Sequence, residues 1–170
     1  MDTITTILAR RSVRKYMRDP IPQEHLRQIL EAGHQAPSAA NRQPWHFVLV
    51  RDEEQKQRLA KACRGQMWIA QAACILVGVG VVPKSPKWYQ VDVAIAMENM
   101  ILAAHSLGYG TCWIGAFEEE QVKQLLGIPE EMAVVALLPI GVPDERPQAK
   151  PRKDLSEIFF EEEYGKPLTL

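Results

Sequence analysis

The chain has 170 residues, 46% of them hydrophobic and 24% charged, with a formal net charge of −1. That length is enough for one cored domain and short for two, and the composition is ordinary for a globular protein, so one domain over residues 1–170 is expected. The near-neutral balance, with basic residues in small clusters and not in long runs, argues against nucleic acid as a partner.

Nothing after Met1 reads as a secretory leader, and the longest apolar run, residues 72–83, is too short to cross a bilayer as a helix and carries glycines. A cytoplasmic protein without a membrane partner is the expectation. Cys63, Cys74 and Cys112 are widely spaced with no C-x-x-C pair, which suits a reducing compartment and argues against disulfides or structural zinc.

Thr3 or Thr6 is expected to cap a short first helix that ends near Arg10-Arg11-Ser12-Val13-Arg14-Lys15-Tyr16. Arg10 and Arg14 are four apart, so a helical turn would project both guanidinium groups from one face, where each can make forked, charge-assisted bonds to an oxyanion. Ser12 adds a hydroxyl. A solvated surface is the competing reading of such a cluster.

Pro22 opens a second helix with Leu26, Ile29, Leu30 and Gly33 on its inner face, which leads to Pro37-Ser38-Ala39-Ala40-Asn41-Arg42-Gln43-Pro44-Trp45. There Ser38, Ala39 and Ala40 allow backbone close to a ligand, and the amides of Asn41 and Gln43 can read a pattern of donors and acceptors. Residues 45–50 read as a buried strand, 52–63 as an amphipathic helix, 67–71 as a shorter helix and 73–79 as a second buried strand.

Residues 81–88, with two prolines among lysines, form a loop that is either a lid or a connection. From Trp88 or Tyr89 to Leu107 runs a long helix that is apolar around most of its circumference, so it must be buried on more than one side. The simplest way to achieve this is to pack it on the chain's own sheet and on a second subunit, which favours a homodimer. A helix over 118–126 and a strand over 132–140 follow. The tail from Asp154, with Phe159, Phe160 and Tyr164, is expected to pack on the domain or on its partner.

Several motifs are excluded. Gly78-Val79-Gly80 has no third glycine and is followed by prolines, so a dinucleotide fingerprint fails. Ser106 has no G-x-S-x-G around it, and His25, His34, His46 and His105 show no metal-ligand spacing.

The Arg10–Arg14 segment and the Ala36–Trp45 block resemble the opening R-[RH]-S-x-[RK] and the A-P-S-x-x-N-x-Q-P-W block of the nitroreductase family of FMN-dependent oxidoreductases. Residues 92–115, ending in Leu107-Gly108-Tyr109-Gly110-Thr111-Cys112-Trp113-Ile114-Gly115, continue the likeness. So do Pro139-Ile140-Gly141-Val142-Pro143 and Lys150-Pro151-Arg152-Lys153. The resemblance implies an α+β fold, with a central, mostly antiparallel sheet flanked by helices and a long buried helix at a homodimer interface. It implies bound FMN, with NADH or NADPH as electron donor.

By the same resemblance, Arg10, Arg11 and Ser12 belong to the cofactor site. Arg10 would hold the phosphate with Lys150 and Arg152, and Arg14 would lie near flavin N1 and O2, where a fixed cation favours the reduced ring. Gly115, with Ile114, would bring backbone to N5 and O4, and Gln66 is a further candidate at the pyrimidine edge. Pro37, Ser38, Ala39 and Asn41 would serve the flavin of the partner subunit. The implied reaction is ping-pong hydride transfer through N5 to nitroaromatics, quinones or related acceptors, with no protein nucleophile. A flavin reductase, a specialised ring-modifying flavoenzyme and a non-catalytic FMN-binding module are the alternatives. The chain is shorter than many family members, which implies either a broader, more exposed flavin face or a cover supplied by the 81–88 loop.

Overall fold

The computed structural model describes residues 2–169. In chain order the elements are α1 (Thr3–Ala9), α2 (Gln23–His34), β1 (Trp45–Val50), α3 (Glu53–Ala62), β2 (Cys74–Gly80), α4 (Tyr89–Ser106), β3 (Gly110–Thr111), α5 (Glu119–Leu126) and β4 (Ala133–Gly141). Short 3-10 turns lie at Ala39–Asn41, Met67–Gln71, Val82–Lys84 and Leu155–Glu157.

The sheet order is β1-β2-β4-β3 and every strand pairing is antiparallel. Among the described residues the one parallel link is an isolated bridge between Ser12 and Thr111. Strand β2 is buried at all seven positions because both of its faces are covered, which is why its sequence is a continuous apolar run without alternation. Ile75, Val77 and Val79 face a core shared with α3, α5 and the 67–71 turn, while Cys74 and Leu76 face α2 and α4. A register shift between Gly78 and Val79 leaves Val135 of β4 unpaired.

Helix α4 lies against β2 at two glycines. A Cβ at Gly78 would reach 2.5 Å from Met97 Sδ, and one at Gly80 would enter the Tyr89 ring. Glycine here is a requirement of close approach, not of conformation. Helix α2 approaches α4 in the same way, with Gly33 against Met100. The result is an α+β molecule with one helical layer of α2 and α4 and another of α3 and α5, on either side of the sheet.

Local signals place some of the helix ends. Asp52 caps α3 by accepting the Gln55 amide, and Gly127, at φ 64°, ends α5. The first helix differs from the sequence expectation: its cap is Asp2, whose carboxylate accepts the Thr5 amide and hydroxyl, and not Thr3 or Thr6. Asp2 precedes the helix with extended backbone, whereas Thr6 lies inside it and is buried. Residues 67–71 form a 3-10 turn, and the two-residue strand β3 is too short to leave a periodic signal.

Helix α4 buries Val93, Ala96, Met97, Met100, Ile101 and Ala104 within the chain, but Val91 and Ile95 stay exposed along one stripe. On α1, Ile4, Ile7 and Leu8 are also exposed. In the tail, Phe160 and Tyr164 meet at 4.9 Å, while Phe159 and Ile158 face solvent. No helix of the described residues is long and apolar enough to cross a membrane.

Replacing Gly80 with Ala should cost about 1–3 kcal/mol, the usual penalty of overpacking a filled core, because the aromatic ring of Tyr89 cannot fold away as a flexible chain end could. Urea unfolding of the variant checks this, and a stability equal to the parent would refute the close approach.

Candidate functional site

Residues 10–15 are extended, not helical: α1 ends at Ala9, and Arg10 has φ −57° and ψ 135°. Arg10 and Arg14 therefore do not share a helical face; the period of two of an extended segment puts Arg10, Ser12 and Arg14 on one side of it. The segment is pinned on the sheet edge by the Val13 amide, which donates to Thr111 O at 2.9 Å. The buried Tyr16 hydroxyl donates to Val13 O at 2.7 Å. Burial pushes the Tyr16 phenol far above its ordinary range, so this hydroxyl keeps its proton and acts as a donor.

After β4 the chain returns beside the same segment. Met17 N donates to Val142 O and Asp144 N donates to Lys15 O, both at 2.9 Å. Lys15 pairs with Asp144 at 2.9 Å, and the Arg14 amide donates to the Glu145 carboxylate. This zipper delivers residues 147–152 to the cationic face. A cavity of about 310 Å³ is lined there by Arg10, Arg11, Ser12, Arg14, Pro147, Gln148, Lys150 and Arg152. Five of these side chains are cations and none is a carboxylate. Among the described residues, Arg10, Arg14, Lys150 and Arg152 make no ion pair. A dianionic oxyanion is the chemical complement of that wall.

Arg11 plays a different part from its neighbours. Its Nη1 donates to Leu8 O and Arg10 O, both at 2.8 Å, and so caps the C-terminus of α1 while adding charge to the cavity rim.

From Thr111 the chain runs back along β4 through Cys112, Trp113, Ile114 and Gly115. The Ile114 amide donates to Leu137 O at 2.9 Å, and Ile114 O accepts from Leu137 N at 3.1 Å. Ile114 is thus held by the sheet and buried in the core, and the exposed backbone beside it is that of Gly115. A Cβ at Gly115 would meet only Trp113 Nε1, at 3.8 Å, so neither packing nor backbone conformation demands glycine there. Gln66 lies alongside, its Nε2 donating to Cys63 O at 2.9 Å and reaching Ala116 O at 3.5 Å. The Cys112 thiol, against Ser12, is raised by burial, with Arg14 opposing the shift. Arg10, Ser12, Arg14, Lys150 and Arg152 are thus together, with Ile114, Gly115 and Gln66 following along the same sheet edge.

Pro37, Ser38, Ala39 and Asn41 are elsewhere. The Ala39 amide donates to Asp92 Oδ1 at 3.1 Å, in the first turn of α4, and Val81 N donates to Pro44 O at the Gly80 end of the sheet. The Arg segment pairs with Thr111, beyond the other end of α4. Asp92 and Ser106 are fourteen helical steps apart, about 20 Å at 1.5 Å per residue. Within the chain the two segments are held by different elements, the loop by Asp92 of α4 and the Arg segment by Thr111 of β3. Residues 81–88 hold the 3-10 turn Val82–Lys84 and connect β2 to α4.

The model of the nitroreductase family matches residues 7–81 and 81–142. The chain belongs to the nitroreductase family. A putative NADH dehydrogenase/NAD(P)H nitroreductase of Methanothermobacter thermautotrophicus is 34% identical over 95% of this chain and 87% of its own. The NADPH:FMN oxidoreductase of Vibrio harveyi, solved in complex with NAD+, superposes with a TM-score of 0.89 at 34% identity, covering 98% of this chain and 79% of that one. An FMN-dependent nitroreductase of Clostridium difficile superposes at 0.86 with 28% identity, covering 95% and 99%.

Two contributors lie outside the motif residues. Tyr16 and Glu145 each fix backbone of the Arg segment, and neither stands in a pattern that separates it from an ordinary polar residue. Replacing Tyr16 with Phe leaves the buried Val13 carbonyl short of a donor and should lower the unfolding free energy by about 1–2 kcal/mol. Denaturant titration reads the loss, and an unchanged midpoint would exclude the bond.

Proposed function

We propose that this nitroreductase-family protein is an FMN-dependent oxidoreductase that takes a hydride from NADH or NADPH and passes it to nitroaromatic, quinone or related acceptors. The observation that carries the reading is the wall of five cations around one cavity, continued along the sheet edge by the open Gly115 backbone. FMN fits the donor set: its phosphate answers Arg10, Lys150 and Arg152, and its flat ring answers a glycine that nothing within the chain requires. When bound, FMN supplies a two-electron carrier that meets donor and acceptor in turn at one face.

In this reading Arg10, Lys150 and Arg152 grip the phosphate, with Ser12 donating a hydroxyl and Arg11 reinforcing the field. Arg14 stands at the end of the ring where negative charge develops on reduction and stabilises that charge without moving, which favours hydride acceptance. The Gly115 N–H is presented to the ring by the Ile114–Leu137 bridge. Gln66, with its amide N–H already donating to backbone carbonyls, keeps an acceptor oxygen for the pyrimidine edge.

The active unit in this reading is a homodimer of single-domain subunits with two shared sites. The separate tethers of the two segments support it, the Pro37–Asn41 loop on the first turn of α4 and the Arg segment on Thr111, about 20 Å further along the helix at its far end. The exposed stripe of Val91 and Ile95 on α4, with Ile4, Ile7 and Leu8 on α1, provides apolar surface for such a contact.

Anaerobic titration of the purified protein with NADH and with NADPH should bleach a bound flavin spectrum, and reoxidation by a quinone or a nitroaromatic should restore it. A yellow protein that no nicotinamide reduces would sink the enzyme reading. Arg152→Ala should weaken FMN binding by roughly 10- to 150-fold, the value of one charge-assisted contact of about 1.5–3 kcal/mol. Equilibrium titration monitored by flavin fluorescence gives that ratio. Mixed dimers of Arg152→Ala and Asn41→Ala subunits should recover one full-affinity flavin per dimer if the sites are shared, and none if each site lies within one subunit.

A further inference from the structure

The loop from Ser38 to Gln43 holds three non-glycine residues in the left-handed region, Ala40 at φ 50°, Asn41 at 52° and Gln43 at 48°. Such a loop keeps its shape only when its surroundings over-determine it. Internally, Gln43 N donates to Ser38 Oγ at 2.9 Å, Asn41 N donates to Ser38 O at 2.9 Å, and Gln43 Nε2 donates to Asn41 Oδ1 at 3.1 Å. These bonds shape the loop but do not place it on the domain.

The buried side chain that places it is Asp92. It is 3% exposed, and its Oδ1 accepts the Ala39 amide at 3.1 Å. Its Oδ2 has no hydrogen-bond partner among the described residues. A buried carboxylate with one oxygen unanswered is costly, and an apolar residue at this point of α4 would avoid the cost. What the carboxylate does in return is hold the first amide of the Ala39–Asn41 turn on the N-terminal turn of α4, where the helix dipole favours negative charge. Two further ties are the backbone bond from Val81 N to Pro44 O at 2.9 Å, one residue past the loop, and the exposed, weaker Lys84 Nζ to Gln43 O at 3.4 Å.

We propose that Asp92 is a positioning residue for the flavin ring: its carboxylate clamps the Ser38–Gln43 loop to α4 and thereby sets where that loop meets the flavin held by the other subunit. The proposal rests on the shared-site reading above. Asp92 does not touch the flavin itself. Its effect belongs to the ring end of the site, so it is independent of the phosphate.

The test titrates the flavin-free dimer with FMN and with riboflavin, which lacks the phosphate. Asp92→Ala should weaken both by about tenfold, leaving the ratio of the two affinities unchanged. Asp92→Asn, which keeps an acceptor oxygen for Ala39, should stay within about threefold of the parent. Ala39→Pro removes the donor at the first position of the turn, after an extended Ser38 that tolerates a following proline, and should reproduce the Asp92→Ala loss.

The double variant should be no weaker than either single one, because both delete the same bond. Wild-type affinity in Asp92→Ala, a loss confined to FMN, equal losses in the Ala and Asn variants, or additive losses in the cycle would each overturn the proposal. Should Asp92→Ala fail to fold, Asp92→Ser, too short to span to Ala39, replaces it in the cycle. A parent protein that binds neither flavin would sink the functional reading instead, so the two failures are distinguishable.

Discussion

Helix α4 is a rigid spacer pressed onto the bare backbone of Gly78 and Gly80, and the rest of the molecule is arranged around its length. Its first turn holds the Ser38–Gln43 loop through Asp92, and its last turn releases the chain through Gly108, at φ 90°, into the strand that carries the Arg segment. A helix of 18 residues does not shorten. The Ser38–Gln43 loop and the pairing of Val13 with Thr111 are therefore anchored at different ends of α4. The same helix keeps part of its apolar circumference uncovered, as a helix serving two subunits would.

The cationic wall is the second organising feature, and it opposes folding. Five cations around one cavity repel one another, and no carboxylate lines that cavity to offset them. Lys15 and the Arg14 amide take up Asp144 and Glu145 on the neighbouring zipper, so those acids fix backbone and leave the cavity positive. An anionic ligand relieves the repulsion and stabilises the fold by mass action, coupling cofactor retention to stability. The tail that contributes Lys150 and Arg152 has little regular structure of its own, and a phosphate gripped from both ends of the chain would order it.

Much of the fold was legible in the chain because its signals are local. The continuous apolar run of β2, the amphipathic period of α3 and the all-round apolarity of α4 each follow from burial acting on a few neighbouring residues. The Arg10–Arg14 cluster and the Pro37–Asn41 loop were likewise visible as residue types suited to anions and to a flat polar ring. Their geometry was not. A spacing of four reads as one helical face, yet two such residues also share a face of an extended segment, and tertiary pairing of Val13 with Thr111 selects the second. Asp2 displaced Thr3 and Thr6 as the cap because the chain enters the helix earlier than the threonines suggest.

By itself the sequence determined the longer helices and strands, which residues carry charge and amides, and which family the chain joins, since these depend on composition, short-range periodicity and the order of motifs. Only the tertiary structure decided that Arg11 caps α1 while its neighbours line the cavity, that Ile114 is held by Leu137 and leaves Gly115 as the open backbone, and that Asp92 anchors the loop. It also decided that the Pro37–Asn41 loop is tied to the first turn of α4 and the Arg segment to Thr111. Those outcomes depend on contacts between residues far apart in the chain, and no local pattern encodes the distance that a packed helix imposes.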